Sequence, residues 1–65
     1  MKSLYIEQPD DTGNIELKPC NDAILIDIYE QTGKEDFDHA HIAIKEEEIK
    51  DIHKFLTKWL MVYGD

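Results

Sequence analysis

The sequence predicts an α+β domain in which three to four antiparallel strands precede one C-terminal helix packed on one face of the sheet. Two observations support this prediction. Apolar residues recur at every second position within residues 15–18, 23–29 and 37–44, as in strands with one buried face. Within residues 46–63 they recur at helical spacing instead. The predicted order is β-β-β-β-α, in a single domain covering residues 1–65.

The strands are bounded by residues that favour turns. A short apolar run at residues 4–6 is the candidate first strand, and residues 8–14, which are dense in turn formers, end it. Pro19, Asn21 and Asp22 predict a second turn. In the strand that follows, Ile24, Ile26 and Ile28 share one face while Leu25 and Tyr29 share the other. We expect residues 23–29 and 37–44 to pair as an antiparallel hairpin.

The helix at residues 46–63 carries negative charge where a helix favours it. Glu46, Glu47 and Glu48 lie at its N-terminus and complement the macrodipole. Gly64 fits the residue that ends a helix. The apolar stripe consists of Ile49, Ile52, Leu56, Trp59, Leu60 and Tyr63.

The chain offers more apolar surface than one copy can bury. Phe55 and Val62 widen the helical stripe beyond what one sheet face needs. Leu25 and Tyr29 lie on the sheet face that the helix would leave open. Trp59 suits either the core or an interface, where aromatic residues dominate binding. We therefore predict a homodimer that associates through these five residues, with two-fold symmetry.

The charge balance favours a basic protein as the partner. Fifteen acidic residues stand against seven lysines, with no arginine, for a net charge of −8. This balance argues against direct binding to nucleic acid or to anionic membranes and favours steering toward a positive surface. The candidate partner-binding residues are Asp36, Asp38, Glu46, Glu47 and Glu48.

One version of this hypothesis is a nucleic-acid mimic, whose carboxylates imitate an array of phosphates. It requires that many acids line one surface. The further candidates are Asp10, Asp11, Asp22, Glu30 and Glu35. Binding that depends steeply on salt would support this version, whereas weak salt dependence would favour an apolar contact.

The spacing of His39 and His41 is compatible with a metal site. On a strand, a His-x-His pair places both imidazoles on one face, where they can supply two ligands to one Zn²⁺ ion. A nearby carboxylate or His53 would supply a third. The alternative is a pair of exposed histidines on an edge strand. No other cofactor is expected, because the chain has no phosphate loop.

The functional prediction is a non-enzymatic interaction module that acts as an inhibitor or accessory regulator. No catalytic motif is present, and a chain of 65 residues can hardly enclose a small-molecule site. The alternatives are a metal-binding domain and a structural subunit of a homo-oligomer. Size and composition are typical of small bacterial and phage proteins. With Cys20 as the one cysteine, no long apolar run and no apolar signal segment, we expect a cytoplasmic protein.

Overall fold

A computed structural model describes residues 1–10 and 12–64. It confirms the predicted element order of four strands followed by one helix. The strands form one sheet in the order β1-β2-β3-β4, with every neighbouring pair antiparallel. The elements are β1 (Leu4–Glu7), β2 (Gly13–Cys20), β3 (Ala23–Gln31), β4 (Phe37–Lys45) and α1 (Glu46–Tyr63).

The turn between β2 and β3 consists of the two residues Asn21 and Asp22, as the sequence predicts. Asn21 has φ of 48°, which lies in the left-handed region that asparagine tolerates better than most residues. Contrary to the prediction, Pro19 is not part of this turn. It lies inside β2, where it pairs with Ile24 of β3. The pairing of β1 with β2 ends at Leu17, so β1 does not extend alongside Pro19.

The register assigns the strand residues to two chemically different faces. Directly paired residues of an antiparallel sheet point to the same side. The apolar face, as we call it, consists of Leu4, Ile6, Ile15, Leu17, Pro19, Ile24, Ile26, Ile28, Ala40, Ile42 and Ile44. At one end of the sheet, Gly13, Glu30 and Asp38 lie on the same side. The opposite side, the polar face, includes Tyr5, Glu16, Lys18, Leu25, Asp27, Tyr29, His39 and His41.

As predicted, α1 has three glutamates in its first turn and Gly64 after its last residue. The first turn also has a hydrogen bond that the sequence analysis did not predict. The backbone N–H of Lys45 donates to Glu48 Oε1 at 3.0 Å, as in a capping box. At the other end, the N–H of Gly64 donates to the carbonyl of Leu60 at 2.8 Å. Within the described part of the chain, no helix combines the length and the apolar character needed to cross a membrane.

The helix follows the sheet as predicted, but it covers only a small part of it. None of the residues of α1 is buried, and its contacts with the sheet are few and concentrated on β4. Ile49 alone among the helical residues is half-buried, beside a depression that it shares with Pro19 and Ile24. The physical reason is the connection. β4 ends at Lys45 and α1 begins at the next residue, so no loop turns the helix back over the apolar face.

The molecule is consequently open. Its radius of gyration is 13.9 Å, whereas a compact domain of this length has about 10.7 Å. Its accessible surface is 6001 Å², against about 4,300 Å² for a folded monomer of this mass. No residue within 1–10 and 12–64 is fully buried. One copy therefore exposes about 1,700 Å² more surface than a compact protein would.

Candidate functional sites

A cluster of polar side chains is centred on Asp27 of β3. His41 lies directly opposite Asp27 on β4, and His39 lies two residues before it on the same face. Asp27 Oδ1 is 3.1 Å from His39 Nε2, and Asp27 Oδ2 accepts from Lys18 Nζ at 2.9 Å. The side chain of Asp27 is only 14% exposed, so the cluster partly encloses its carboxylate.

A neighbouring aromatic side chain constrains the imidazole of His39. The ring of Tyr29 stacks on that of His39, with centroids 4.1 Å apart and planes 3° from parallel. The rings of His39 and His41 are 5.7 Å apart and tilted by 41°. Tyr29 and His39 are direct cross-strand partners, and such pairs contribute to sheet stability. The stack therefore restricts the positions that the His39 ring can occupy.

The charges in the cluster shift one another's protonation equilibria. The hydrogen bond from Lys18, and then that from His39, lowers the pKa of Asp27 below its ordinary value of 3.8. Reciprocally, the hydrogen bond to Asp27 raises the pKa of Lys18 above 10.5, with a further contribution from Glu16. Glu16 Oε1 lies 3.7 Å from Lys18 Nζ. Both partners of the central pair are thus held in their charged forms at neutral pH.

The cluster has the composition of a transition-metal site. Asp27, His39 and His41 each offer one ligand atom, and these atoms lie within 4.8 Å of one another. The structure thus brings the two predicted histidines together with a carboxylate, whereas His53 is exposed on α1 and lies outside this group. Sequence reasoning did not identify Asp27. Only the register of the β3–β4 hairpin, which places it opposite His41, distinguishes it from the many other acids.

Two uncovered apolar surfaces form the second candidate site. The first is the apolar face of the sheet, on which Ile42 is 59% exposed. The second is the stripe of α1, which includes a shallow groove between turns of the helix. In this groove the rings of Trp59 and Tyr63 lie 5.6 Å apart. The groove is lined by Phe55, Lys58, Trp59, Val62 and Tyr63.

The predicted self-association residues fall on two separate surfaces. Phe55, Trp59 and Val62 lie together in the helical groove. Leu25 and Tyr29 lie on the polar face, where Leu25 has Lys18 and Ala43 as its cross-strand neighbours and Tyr29 stacks on His39. The continuous apolar surface of the sheet is instead the apolar face, which the sequence analysis assigned to the helix of the same chain.

The predicted acidic contact residues lie at opposite ends of the sheet. Asp36 precedes β4 and Asp38 lies near its start, while Glu46, Glu47 and Glu48 follow its end. The nine residues of β4 span about 30 Å. Asp10, Glu30 and Glu35 belong to the end that holds Asp36, and Asp22 to the other; Asp11 lies outside the described residues. The acids thus form two separate groups rather than one patch.

Comparison with protein families, curated proteins and solved structures finds no match for this chain. The two apolar surfaces and the polar cluster are therefore the features of the molecule that indicate a function.

Proposed function

We propose that this protein is a non-enzymatic interaction module that folds as a homodimer and binds a basic surface of a larger protein as an inhibitor or accessory regulator. The observation that supports self-association most directly is the absence of any buried residue among those described. A chain of this size needs a core to offset the conformational entropy lost on folding. A second copy would supply the missing half of that core.

The exposed area matches what a stable dimer buries. If each copy buried its excess of about 1,700 Å², the interface would total about 3,400 Å², within the range of obligate homodimers. A single partner of unrelated sequence would need two apolar surfaces, one to cover the apolar face of the sheet and one to cover the stripe of α1. A second copy carries both by construction, because each chain has one uncovered sheet face and one uncovered helical stripe.

The dimensions of the two surfaces also agree. The 18 residues of α1 extend about 27 Å, and the nine residues of β4 extend about 30 Å. In a two-fold arrangement, the helix of one copy lies over the apolar face of its partner, and the contact is repeated reciprocally. Mutual repulsion between two chains of charge −8 is limited, because the middle of the apolar face carries no charged residue.

The oligomeric state and two matched pairs of variants test the dimer. Ile42→Lys places a charge on the apolar face, and Tyr5→Lys, at 54% exposure, is its control on the polar face. Leu60→Lys alters the helical stripe. Met61→Lys is its control, on the side of α1 that carries Lys50, Lys54 and Lys58. We expect the first member of each pair to dissociate or unfold the dimer and the second to leave it intact. A folded monomer at micromolar concentration, by sedimentation equilibrium, contradicts the proposal.

The basic partner is supported by the position of the acids. In the proposed dimer, the two acidic groups lie at the ends of the sheet, beyond the middle of the apolar contact, and remain available to a positive surface. Their separation favours two distinct acidic contacts over a single phosphate-like array. The test is capture of partners from a native lysate at low and high salt. Asp36→Asn with Asp38→Asn should weaken a salt-sensitive partner, whereas capture that is indifferent to both salt and these substitutions contradicts an acidic contact.

A further inference from the structure

We propose that Asp27, His39 and His41 form a zinc-binding site on the polar face of the sheet. Two imidazole nitrogens and one carboxylate oxygen are a ligand set that zinc takes in proteins with three protein ligands and one open position. The nitrogen donors favour zinc and related transition metals over calcium or magnesium, which prefer oxygen. This inference is independent of the proposed dimer, because the cluster lies on the opposite side of the sheet from the apolar face.

The distances need only small adjustment to hold the ion. With zinc-to-ligand bonds of 2.0–2.1 Å in a tetrahedral arrangement, ligand atoms lie about 3.3 Å apart. Asp27 Oδ1 and His39 Nε2 are already 3.1 Å apart, and the widest separation within the group does not exceed 4.8 Å. His41 is exposed and can close this difference by rotation of its side chain.

Side chains around the three ligands would hold them in place, as the outer groups of metal sites do. A ligating carboxylate is usually held through its second oxygen by a hydrogen bond. Here Lys18 Nζ donates to Asp27 Oδ2 at 2.9 Å, which leaves Oδ1 directed toward the histidines. Tyr29 fixes the plane of the His39 ring by stacking on it. Glu16, 3.7 Å from Lys18, reduces the repulsion between the lysine and a bound cation.

The backbone supplies a further element of preorganisation. All three ligands are on paired strands, with Asp27 directly opposite His41 and Tyr29 directly opposite His39. Sites built on strands hold their side chains more firmly than sites on loops. Because His39 and His41 are exposed, a fourth coordination position would be open to water or to another small ligand. An overall charge of −8 also raises the local concentration of cations.

Zinc chloride titration of the tag-free protein, followed by calorimetry and native mass spectrometry, tests the site. We expect one zinc ion per chain. Asp27→Asn, His39→Ala and His41→Ala should each weaken zinc binding at least about tenfold. His53→Ala is the matched control, because it removes a histidine outside the cluster, and it should bind zinc like the parent. Equal weakening by His53→Ala, or parental affinity in Asp27→Asn, overturns the proposed ligand set.

A second measurement remains informative if a variant fails to fold. On addition of zinc to the unaltered protein, the imidazole signals of His39 and His41 and the side-chain carboxyl signal of Asp27 should shift in nuclear magnetic resonance spectra. The signals of His53 should stay in place. Stoichiometric shifts at all three ligands support the site, whereas shifts at the histidines without Asp27 reduce it to a simple His-x-His chelate and overturn the proposal.

Discussion

At the scale of single residues, the close approach of β2 and β3 at Gly13 leaves no space for a side chain. Gly13 lies at the start of β2, opposite Glu30 of β3. A Cβ atom at this position would lie 2.5 Å from the backbone carbonyl oxygen of Tyr29. A backbone oxygen cannot move aside without disturbing the β2–β3 pairing. The position therefore excludes any side chain for a steric reason.

Gly13→Ala should destabilise the protein by roughly 1–3 kcal/mol, the usual cost of inserting an atom where there is no space. Gly33→Ala is the matched control. There the added Cβ would meet only the side chain of Asp36, at an ordinary distance of 3.4 Å, and no described glycine has positive φ. Its effect should be near neutral. Urea titration of both variants measures the difference, and equal stability of the two contradicts the steric argument.

The pair formed by Lys18 and Asp27 makes stability depend on pH. The pKa of Asp27 is lowered in the folded protein, so its contribution is complete above pH 3.8 and is lost as the pH falls through the lowered value. Because the pKa of Lys18 is raised, its contribution persists below pH 10.5 and is lost as the pH rises beyond it.

Lys18→Met should therefore be less stable than the parent near pH 6, and this difference should shrink as acid protonates Asp27. The physical reason is that a neutral Asp27 no longer attracts the lysine. Urea titrations across a series of pH values measure it. Lys54→Met on α1 serves as the control for loss of a lysine in general. A deficit of Lys18→Met that stays constant into the acid range would argue against the pair as its source.

At the scale of elements, the helix depends on its first turn because it receives little support from the sheet. Most of the stability of a helix in a protein comes from packing of its apolar face rather than from helix propensity. Three acidic residues complement the macrodipole in the first turn, and the last turn has no basic residue. Glu46 also lies 3.5 Å from Lys50, one turn later. The N-terminal end therefore contributes most of the local electrostatic stabilisation.

Glu48→Ala should destabilise α1 by about 0.5–1 kcal/mol, because it removes both the charge and the hydrogen bond from the N–H of Lys45. Glu48→Gln should lose less, since the amide oxygen can still accept that bond. Helical circular dichroism during thermal unfolding compares the two variants. If glutamine and alanine prove equally destabilising, the hydrogen bond contributes nothing measurable.

At the scale of the whole molecule, the proposed dimer couples folding to concentration. When only the associated form is folded, each tenfold increase in concentration adds about 1.4 kcal/mol to the stability of the dimer. The thermal midpoint should then rise with protein concentration, as scanning calorimetry over the micromolar range would detect. The apolar contact should also resist added salt. A midpoint independent of concentration is the behaviour of a monomer and contradicts the coupling.

Much of the fold could be predicted because its signals are local. The alternation around Ile24, Ile26 and Ile28 identifies both β3 and its apolar face, and helical spacing identifies α1. Asn21 marks a turn because asparagine tolerates positive φ. Gly64 marks the end of α1, where a Cβ atom would meet the backbone carbonyl oxygen of Leu60. The candidate zinc site was predicted only in part. The two histidines are near neighbours in the sequence, whereas Asp27 is 12 residues from His39 and joins them only through the hairpin register.

By itself, the sequence determined the identity and order of the elements, the chemistry of each sheet face and the strong negative charge, all of which follow from short-range patterns. Three features were decided only by the tertiary structure. The register places Asp27 beside the histidines, the length of β4 separates the acids into two groups, and the direct junction of Lys45 and Glu46 limits how much of the apolar face the helix covers. The register depends on how distant segments pair, which no local pattern of side chains encodes. The strand length and the short junction follow from the predicted bounds 37–44 and 46–63, but their effects on the acids and the helix depend on where the segments lie in space.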